Sequence, residues 1–421
     1  MNRLAGLMGR ILLIVTLFGV LFSFAMFQGG FVSWFLFFSY LPIFIYHVGL
    51  LFYPIHRFQV TRHLSRYIVR SGDSITVTIR LKRSIPFPLY YCVCEEIFPF
   101  SLNKLDKRVE KYQYLDHPEK LQVNRSMKQV IFPGLKRAVE LSYQLDGVPR
   151  GEHHFQAIRV KTGDVFGFIQ KTHIFPVADQ LVAHPVQRPI EMTERMDSFE
   201  QGPVSSNVLH MNNTNIAAGI REYESGDKFS WIDWKQTAKK HTMMTKEFEQ
   251  EKSTDTIVML DNGYYDGING LAYEAAIELS LSLIGVLKQQ SSNISFFSIG
   301  KETVPFAVNQ NPYETDRLLN HLTRMQPNGT NPFALELSKT VMNLPYVGLI
   351  MLVTTRLDDM QTVIKHLRQR AKQVVVHLIR PEKEIMEAER KQIKQLRFQG
   401  AIIHVITEKQ LVRQTIEVNA G

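Results

Sequence analysis

Cysteine is almost absent: Cys92 and Cys94 are the only two in 421 residues. Two thiols two positions apart exclude a disulfide framework and a four-ligand zinc site, and they favour a reducing compartment. No Gly-x-x-x-x-Gly-Lys-Ser/Thr loop is present, which argues against P-loop nucleotide hydrolysis. The Gly-x-Ser-x-Gly elbow and the His-Glu-x-x-His helix are also missing. There is no internal repeat and no low-complexity tract. Most telling is an absence of charge: from Ile11 to Tyr53 there is no Asp, Glu, Lys or Arg. Acidic residues are missing over a longer stretch still, since the first is Asp73, and Arg3, Arg10, Arg57, Arg62, Arg66 and Arg70 precede it. Much of the net charge of +9 is therefore local, which speaks against nucleic-acid binding and for a basic region beside something apolar. The remaining composition, 45% apolar and 21% charged, is that of a globular protein.

The uncharged run is dominated by Leu, Phe, Ile and Val and as one helix would be about 65 Å long. One bilayer core takes about 20 residues, so two spans are expected. They break at Gln28-Gly29-Gly30, giving roughly 11–27 and 31–53, with Pro42 and His47 as candidate kinks in the second. The alternative, a cleaved signal peptide and a single span, lacks a small-residue cleavage site before Gln28. Arginines before the first span and after the second put both termini in the cytoplasm by the positive-inside rule. The basic stretch 57–70 is expected at the lipid headgroups.

Domain boundaries follow from pattern changes. Residues 1–56 form the hairpin. From 57 to 185, short alternating runs such as Ile75-Thr76-Val77-Thr78-Ile79 and Phe155-Gln156-Ala157-Ile158-Arg159-Val160 predict an antiparallel, immunoglobulin-like β-sandwich. Cys92 and Cys94 fall on one face of a strand, buried, while His153-His154 reads as surface or rim. Residues 186–218 are polar and aperiodic, a linker. A dense segment, 219–255, follows. From 256 to 421, apolar runs such as Ile257–Leu260 and Val347–Val353 alternate with helical stretches such as Gly270–Gln289, predicting an α/β doubly wound parallel sheet.

The dense segment holds two of the three tryptophans, Trp231 and Trp234. Asp227 is placed as an N-cap, Lys235, Lys239 and Lys240 suit a helix C-terminus, and Trp231 and Trp234 are three apart. Two readings stand: a short helix plugging the space between sandwich and sheet, with Arg221 paired to Asp227 or Asp233; or a partner-binding surface of Arg221, Tyr223, Asp227, Asp233, Trp234 and Lys235.

This segment resembles the signature of the bacterial "domain of unknown function 58" proteins, roughly Arg-Glu-Tyr-x-x-Gly-Asp-x-x-Arg-x-Ile-x-Trp-x-x-Ser-Ala-Arg. Arg221, Glu222, Tyr223, Gly226, Asp227, Ile232, Trp234 and Ala238 match it, Thr237 and Lys239 are conservative variants, and Ser230 departs from its Arg. Pro149-Arg150-Gly151, Asp164-Val165-Phe166-Gly167 and His184-Pro185 extend the resemblance upstream. It implies a von Willebrand factor A-like domain at the C-terminus and a neighbouring MoxR-type AAA+ ATPase as partner. Domains of that kind can hold Mg²⁺ through Asp-x-Ser-x-Ser, a distant Thr and a distant Asp. Here Asp261 is followed by Asn262-Gly263-Tyr264-Tyr265, Thr330 could stand for the distant Thr, and Arg356 lies where the second Asp is expected. Asp266 and Asp358 are the nearest substitutes. The expectation is a degenerate site with no metal and no cofactor.

The sequence therefore predicts a non-enzymatic, cytoplasm-facing scaffold held in the cell membrane by two spans, recruiting a cytosolic partner, a MoxR-like AAA+ ATPase. A metal-dependent ligand binder or an unrecognised enzyme using the A-like domain is the alternative.

Overall fold

A computed structural model describes residues 2–192, 216–224, 232–249, 255–290, 293–308, 311–329 and 331–418. Helices α1 (Asn2–Gln28) and α2 (Phe31–Phe52) form an antiparallel pair. Gly29 turns the chain with φ of +64°, a region other residues enter at a cost. Phe18 of α1 meets Phe37 and Phe44 of α2 at 5.4 and 4.1 Å between ring centroids. Pro42 lies inside α2 without ending it. Around this small seam, Leu12, Val20, Phe31, Val32 and Phe35 point outward, an apolar surface that water does not favour. Helix α4 (Gly270–Gln290) is also long and apolar enough to cross a membrane, but 72% of its apolar window is buried, against 11% and 17% for α1 and α2. It is a core helix.

A single 3₁₀ turn leads from α2 into β1 (Gln59–Leu64), β2 (Ile68–Arg70), β3 (Ile75–Lys82), β4 (Tyr91–Ile97), β5 (Met127–Ile131), β6 (Ala138–Leu145), β7 (Gly151–Gly163) and β8 (Gln170–His184). These make a three-stranded sheet, β1-β3-β6, and a five-stranded one, β2-β8-β7-β4-β5. Ile79 and Leu81 of one sheet and Cys92, Cys94, Ile158 and Val160 of the other share one core, so the sheets lie face to face. The alternation read from Ile75 to Ile79 is observed, with Ile75, Val77, Ile79 and Leu81 inward. All pairings are antiparallel except β2 with β8, which is parallel and so departs from the expected pattern. Both cysteines are buried free thiols, and burial pushes Cys94 up to about 12. Two expectations are corrected. Arg62, expected at the headgroups, is buried in this core; its guanidinium sits 2.5 Å from Glu96 and 3.3 Å from Asp179, over the Phe155 ring. His153, expected at the rim, is buried between Ser101 Oγ and the Pro149 carbonyl.

The expected linker is structured at both ends, with β9 (Ile190–Met192) near its start and β10 (Ile216–Glu222) at its close; residues 193–215 lie outside the described residues. After β10 come α3 (Trp234–Lys240) and β11 (Met244–Glu249), then β12 (Thr256–Asp261), α4, β13 (Ile294–Ile299), β14 (Thr303–Ala307), α5 (Pro312–Arg324), α6 (Phe333–Met342), β15 (Val347–Thr354), α7 (Met360–Arg370), β16 (Ala371–Ile379), α8 (Glu387–Phe398), β17 (Ile402–Ile406), α9 (Glu408–Leu411) and β18 (Ile416–Val418). Six strands form one sheet in the order β14-β13-β12-β15-β16-β17, parallel except for edge strand β14. Val258 and Leu260 face α4 and α5, whereas Ile257 and Met259 face α6, α7 and α8. Burial on both faces explains the unbroken apolar run of β12. Strand β18 returns to pair with β9.

Candidate functional site

Strands β10 and β11 form an antiparallel ribbon separate from the larger sheets. Helix α3 bridges them. Asp233 Oδ1 accepts from the backbone N–H groups of Lys235 and Gln236, both at 3.1 Å, so Asp233 is the N-cap. Helix α3 therefore begins at Trp234; Asp227, the cap read from the sequence, and Trp231 lie outside the described residues. Ile232 is buried and bridges to Thr245. Thr237 Oγ1 accepts from Met244 N–H at 3.0 Å and ties the helix to the ribbon, a role that the sequence reading did not assign. The Asp233 N–H donates to the Met244 carbonyl, and the Tyr223 N–H to that of Met243. Arg221 Nη1 donates to the Glu222 carbonyl at 3.1 Å and lies 3.9 Å from Glu224.

No side chain of α3 is buried, which contradicts the plug reading. Trp234 is 66% exposed, and Ile220 and Met243 of the same unit are exposed too. Lys235, Lys239 and Lys240 are exposed on the same short helix. The arrangement offers an exposed aromatic side chain and three exposed lysines on one short helix held to a two-stranded ribbon, a combination suited to a partner's acidic, apolar surface.

A second candidate lies at the carboxyl end of β12. Asp261 Oδ1 accepts from Gly263 N–H at 3.0 Å and Oδ2 from Thr354 Oγ1 at 2.8 Å. Arg356 brings its Nε to 3.5 Å from Oδ2, and its guanidinium lies 4.7 Å from the centre of the Tyr265 ring. Burial raises the Asp261 carboxyl above its usual range against the pull of Gly263 and Arg356. Arg356 thus supplies the positive charge that a bound cation would bring. Thr330 lies outside the described residues. Among the described residues there is no group of three His, Cys, Asp or Glu side chains able to hold a metal.

The three upstream motifs turn out to be joints. Arg150 places Nε and Nη2 on the two carboxylate oxygens of Glu274 in α4, at 2.7 and 2.9 Å, and Nη1 on the carbonyls of Leu322 and Thr323 at the end of α5. His184 Nδ1 meets Thr323 Oγ1 at 2.7 Å. Asp164 accepts three backbone N–H groups of its own turn and lies 3.3 Å from His47 Nε2 in α2. A further buried cluster joins Lys111 to Asp106 and to Glu278 of α4, at 2.8 and 2.5 Å. Burial opposes the charge on Lys111, yet Glu278 and Asp106 hold it well above the usual lysine range.

The architecture defines a class: two apolar helices long enough to cross a membrane, joined to a mixed body of several sheets and helices. Within that class the chain belongs to the DUF58 family. The family description "Protein of unknown function DUF58" matches residues 219–420. Uncharacterized protein YeaD of Bacillus subtilis (strain 168) is 33% identical over 325 residues, 77% of this chain and 77% of its own. Among solved structures, PilB minor pilin from Streptococcus sanguinis is 9% identical, with a TM-score of 0.27 over 77% of this chain and 85% of that one. Cwp6 from Clostridium difficile is 9% identical, with a TM-score of 0.16 over 85% and 53%. Neither structural likeness carries an argument.

Proposed function

We propose that this protein is a membrane-anchored, non-enzymatic scaffold whose 219–255 segment recruits a cytosolic partner. The observation that carries this reading is the exposed Trp234, mounted on a helix fixed by Asp233 and Thr237. A buried tryptophan would mark a core; an exposed one among lysines is the residue type that dominates binding energy at protein interfaces. Arg3 and Arg10 in the first turns of α1, before its uncharged span, and the arginines from Arg57 after α2 favour a topology with both termini in the cytoplasm. The sheet order β14-β13-β12-β15-β16-β17, with an antiparallel edge, fits a von Willebrand factor A-like reading of the C-terminal half. The family resemblance points to a MoxR-type AAA+ ATPase as the partner. Tyr223 and Lys235 complete the surface with Arg221 and Asp233; Asp227, which the sequence adds to it, lies outside the described residues. Affinity capture of the full-length protein from its native membrane tests this. Trp234→Ala or Arg221→Ala is expected to lose a protein that the parent recovers, and undiminished recovery in both variants contradicts the surface.

The alternative, a metal-dependent ligand binder at Asp261, predicts a rise in melting temperature with millimolar Mg²⁺ or Mn²⁺, since a ligand of the native state stabilises it. The Arg356–Asp261 contact favours no such rise.

A further inference from the structure

The end of the β-rich half that receives α2 carries three loops, 83–90, 132–137 and 164–169. The strand registers bring them together. Lys82 pairs with Gln59, just after α2, and with Ala138, while Tyr91 pairs with Gly163 and Cys92 with Ile131. All three loops flank the last two turns of α2. Phe87 stacks on Tyr46, with ring centroids 5.6 Å apart, and lies so close to Gly49 that an added Cβ would sit 2.8 Å from its ring. Asp164 reaches His47, and Lys171 donates to the carbonyls of Leu51 and Tyr53, both at 2.7 Å.

On this same end, large apolar side chains point away from the protein. Ile85, Tyr90, Phe132, Leu135, Val165 and Phe166 are all exposed, with Phe132, Leu135 and Phe166 at 68%, 66% and 64%. Tyr46, Leu89, Phe132 and Val165 also line an open pocket of about 470 Å³. Directly behind the 132–135 tip come Lys136 and Arg137, both exposed. Three apolar tips, one of them backed by exposed cations, arranged around a helix that itself leaves the protein as an apolar rod, match the layering of a bilayer surface: hydrocarbon first, then anionic headgroups.

We propose that these three loops are seated in the lipid interface, so that the β-rich half is embedded in the leaflet around α2 rather than hung from it on a tether. The occupant of the apolar face is lipid, because the face is continuous with the outward surface of α2, where Ile45 and Phe52 are exposed as well. This inference rests on the reading that α1 and α2 cross the membrane.

The test uses the full-length protein in phosphatidylcholine and phosphatidylglycerol vesicles, with a nitroxide on single introduced cysteines. Cys92 and Cys94 are buried, so the parent protein serves as the unlabelled blank. Phe132→Cys, Leu135→Cys and Phe166→Cys report the loops, Leu36→Cys the lipid-facing side of α2, and Tyr67→Cys the opposite end of the sandwich. The expected result is a ratio of oxygen to nickel-chelate collisions several-fold higher at the three loops than at position 67, approaching that at 36. Loop labels that behave like position 67 while position 36 reads as lipid overturn the inference and leave the membrane reading standing. A water-like signal at 36 overturns both. Loop labels shielded from both quenchers, with spin–spin broadening that grows as protein is concentrated in the bilayer, overturn it in favour of a second copy.

Discussion

Arg150 commits all three of its side-chain nitrogens to a joint. Its fork on Glu274 and its bonds to the end of α5 lie between parts of the chain 124 and more residues apart. Breaking such a buried pair leaves a charge without a partner, at a cost of about 3–5 kcal/mol. Arg150→Met is therefore expected to lower the melting temperature markedly, and Arg150→Met combined with Glu274→Leu to recover part of the loss; calorimetry of the detergent-solubilised protein reads both. A titration effect belongs at this scale too. Burial pushes His153 down to about 4 and His377 to about 3. An unfolded histidine takes a proton near pH 6.5. Below that value the unfolded chain binds protons that the folded one refuses, so stability is full above about pH 6.5 and falls as pH drops toward 4. Melting temperatures at pH 7.5 and 5 are expected to show this loss, and His153→Gln to reduce it. Arg150, Asp164 and His184 were legible as motifs, but their meaning was not. Their partners are far along the chain, and no periodicity links a residue to a contact more than 100 positions away. Arg62 misled for a related reason: as one arginine of a basic stretch beside an apolar span it reads as a headgroup contact, and only the fold shows Glu96 waiting for it.

At the scale of elements, the legible parts were those with a strong period or long apolar runs. The alternation of β3 and the two-sided burial of β12 follow from burial of one face and of two. Edge strand β14 and helix α6 went unread because neither carries a run long enough to stand out from its loops. The sequence offered Asp227 as the cap of this helix, whereas Asp233 caps α3 by accepting the N–H groups of Lys235 and Gln236. Asp233→Ala is expected to cost about 1 kcal/mol of local stability. Hydrogen exchange should then quicken in α3 and leave β12 and β15 unchanged. In α2, Gly49→Leu is expected to push Phe87 aside and loosen the helix pair from the sandwich, since the approach leaves no room for a side chain. Limited proteolysis at the 83–90 loop reads that change.

For the whole molecule, the joints suggest a body that moves as one piece. Lys111 and Arg150 both bind α4, which packs on β12, β13, β15 and β16, and Arg150 and His184 also bind the end of α5, so the β-rich half is locked to the six-stranded sheet through two helices. Strands β10 and β11 pair only with each other among the described residues, and Trp234 of α3 is exposed. The proposed partner is a second molecule whose surface this chain does not encode, which is why the candidate site was readable as residues but not as a recognition event. The most direct measurement places a photocrosslinking amino acid at position 234 of the full-length protein in its native membrane, with position 398, an exposed phenylalanine on α8, as comparison. A discrete adduct with one cytosolic protein is expected from position 234 and none of that kind from 398. Adducts that are absent at 234, or the same at both positions, would contradict it.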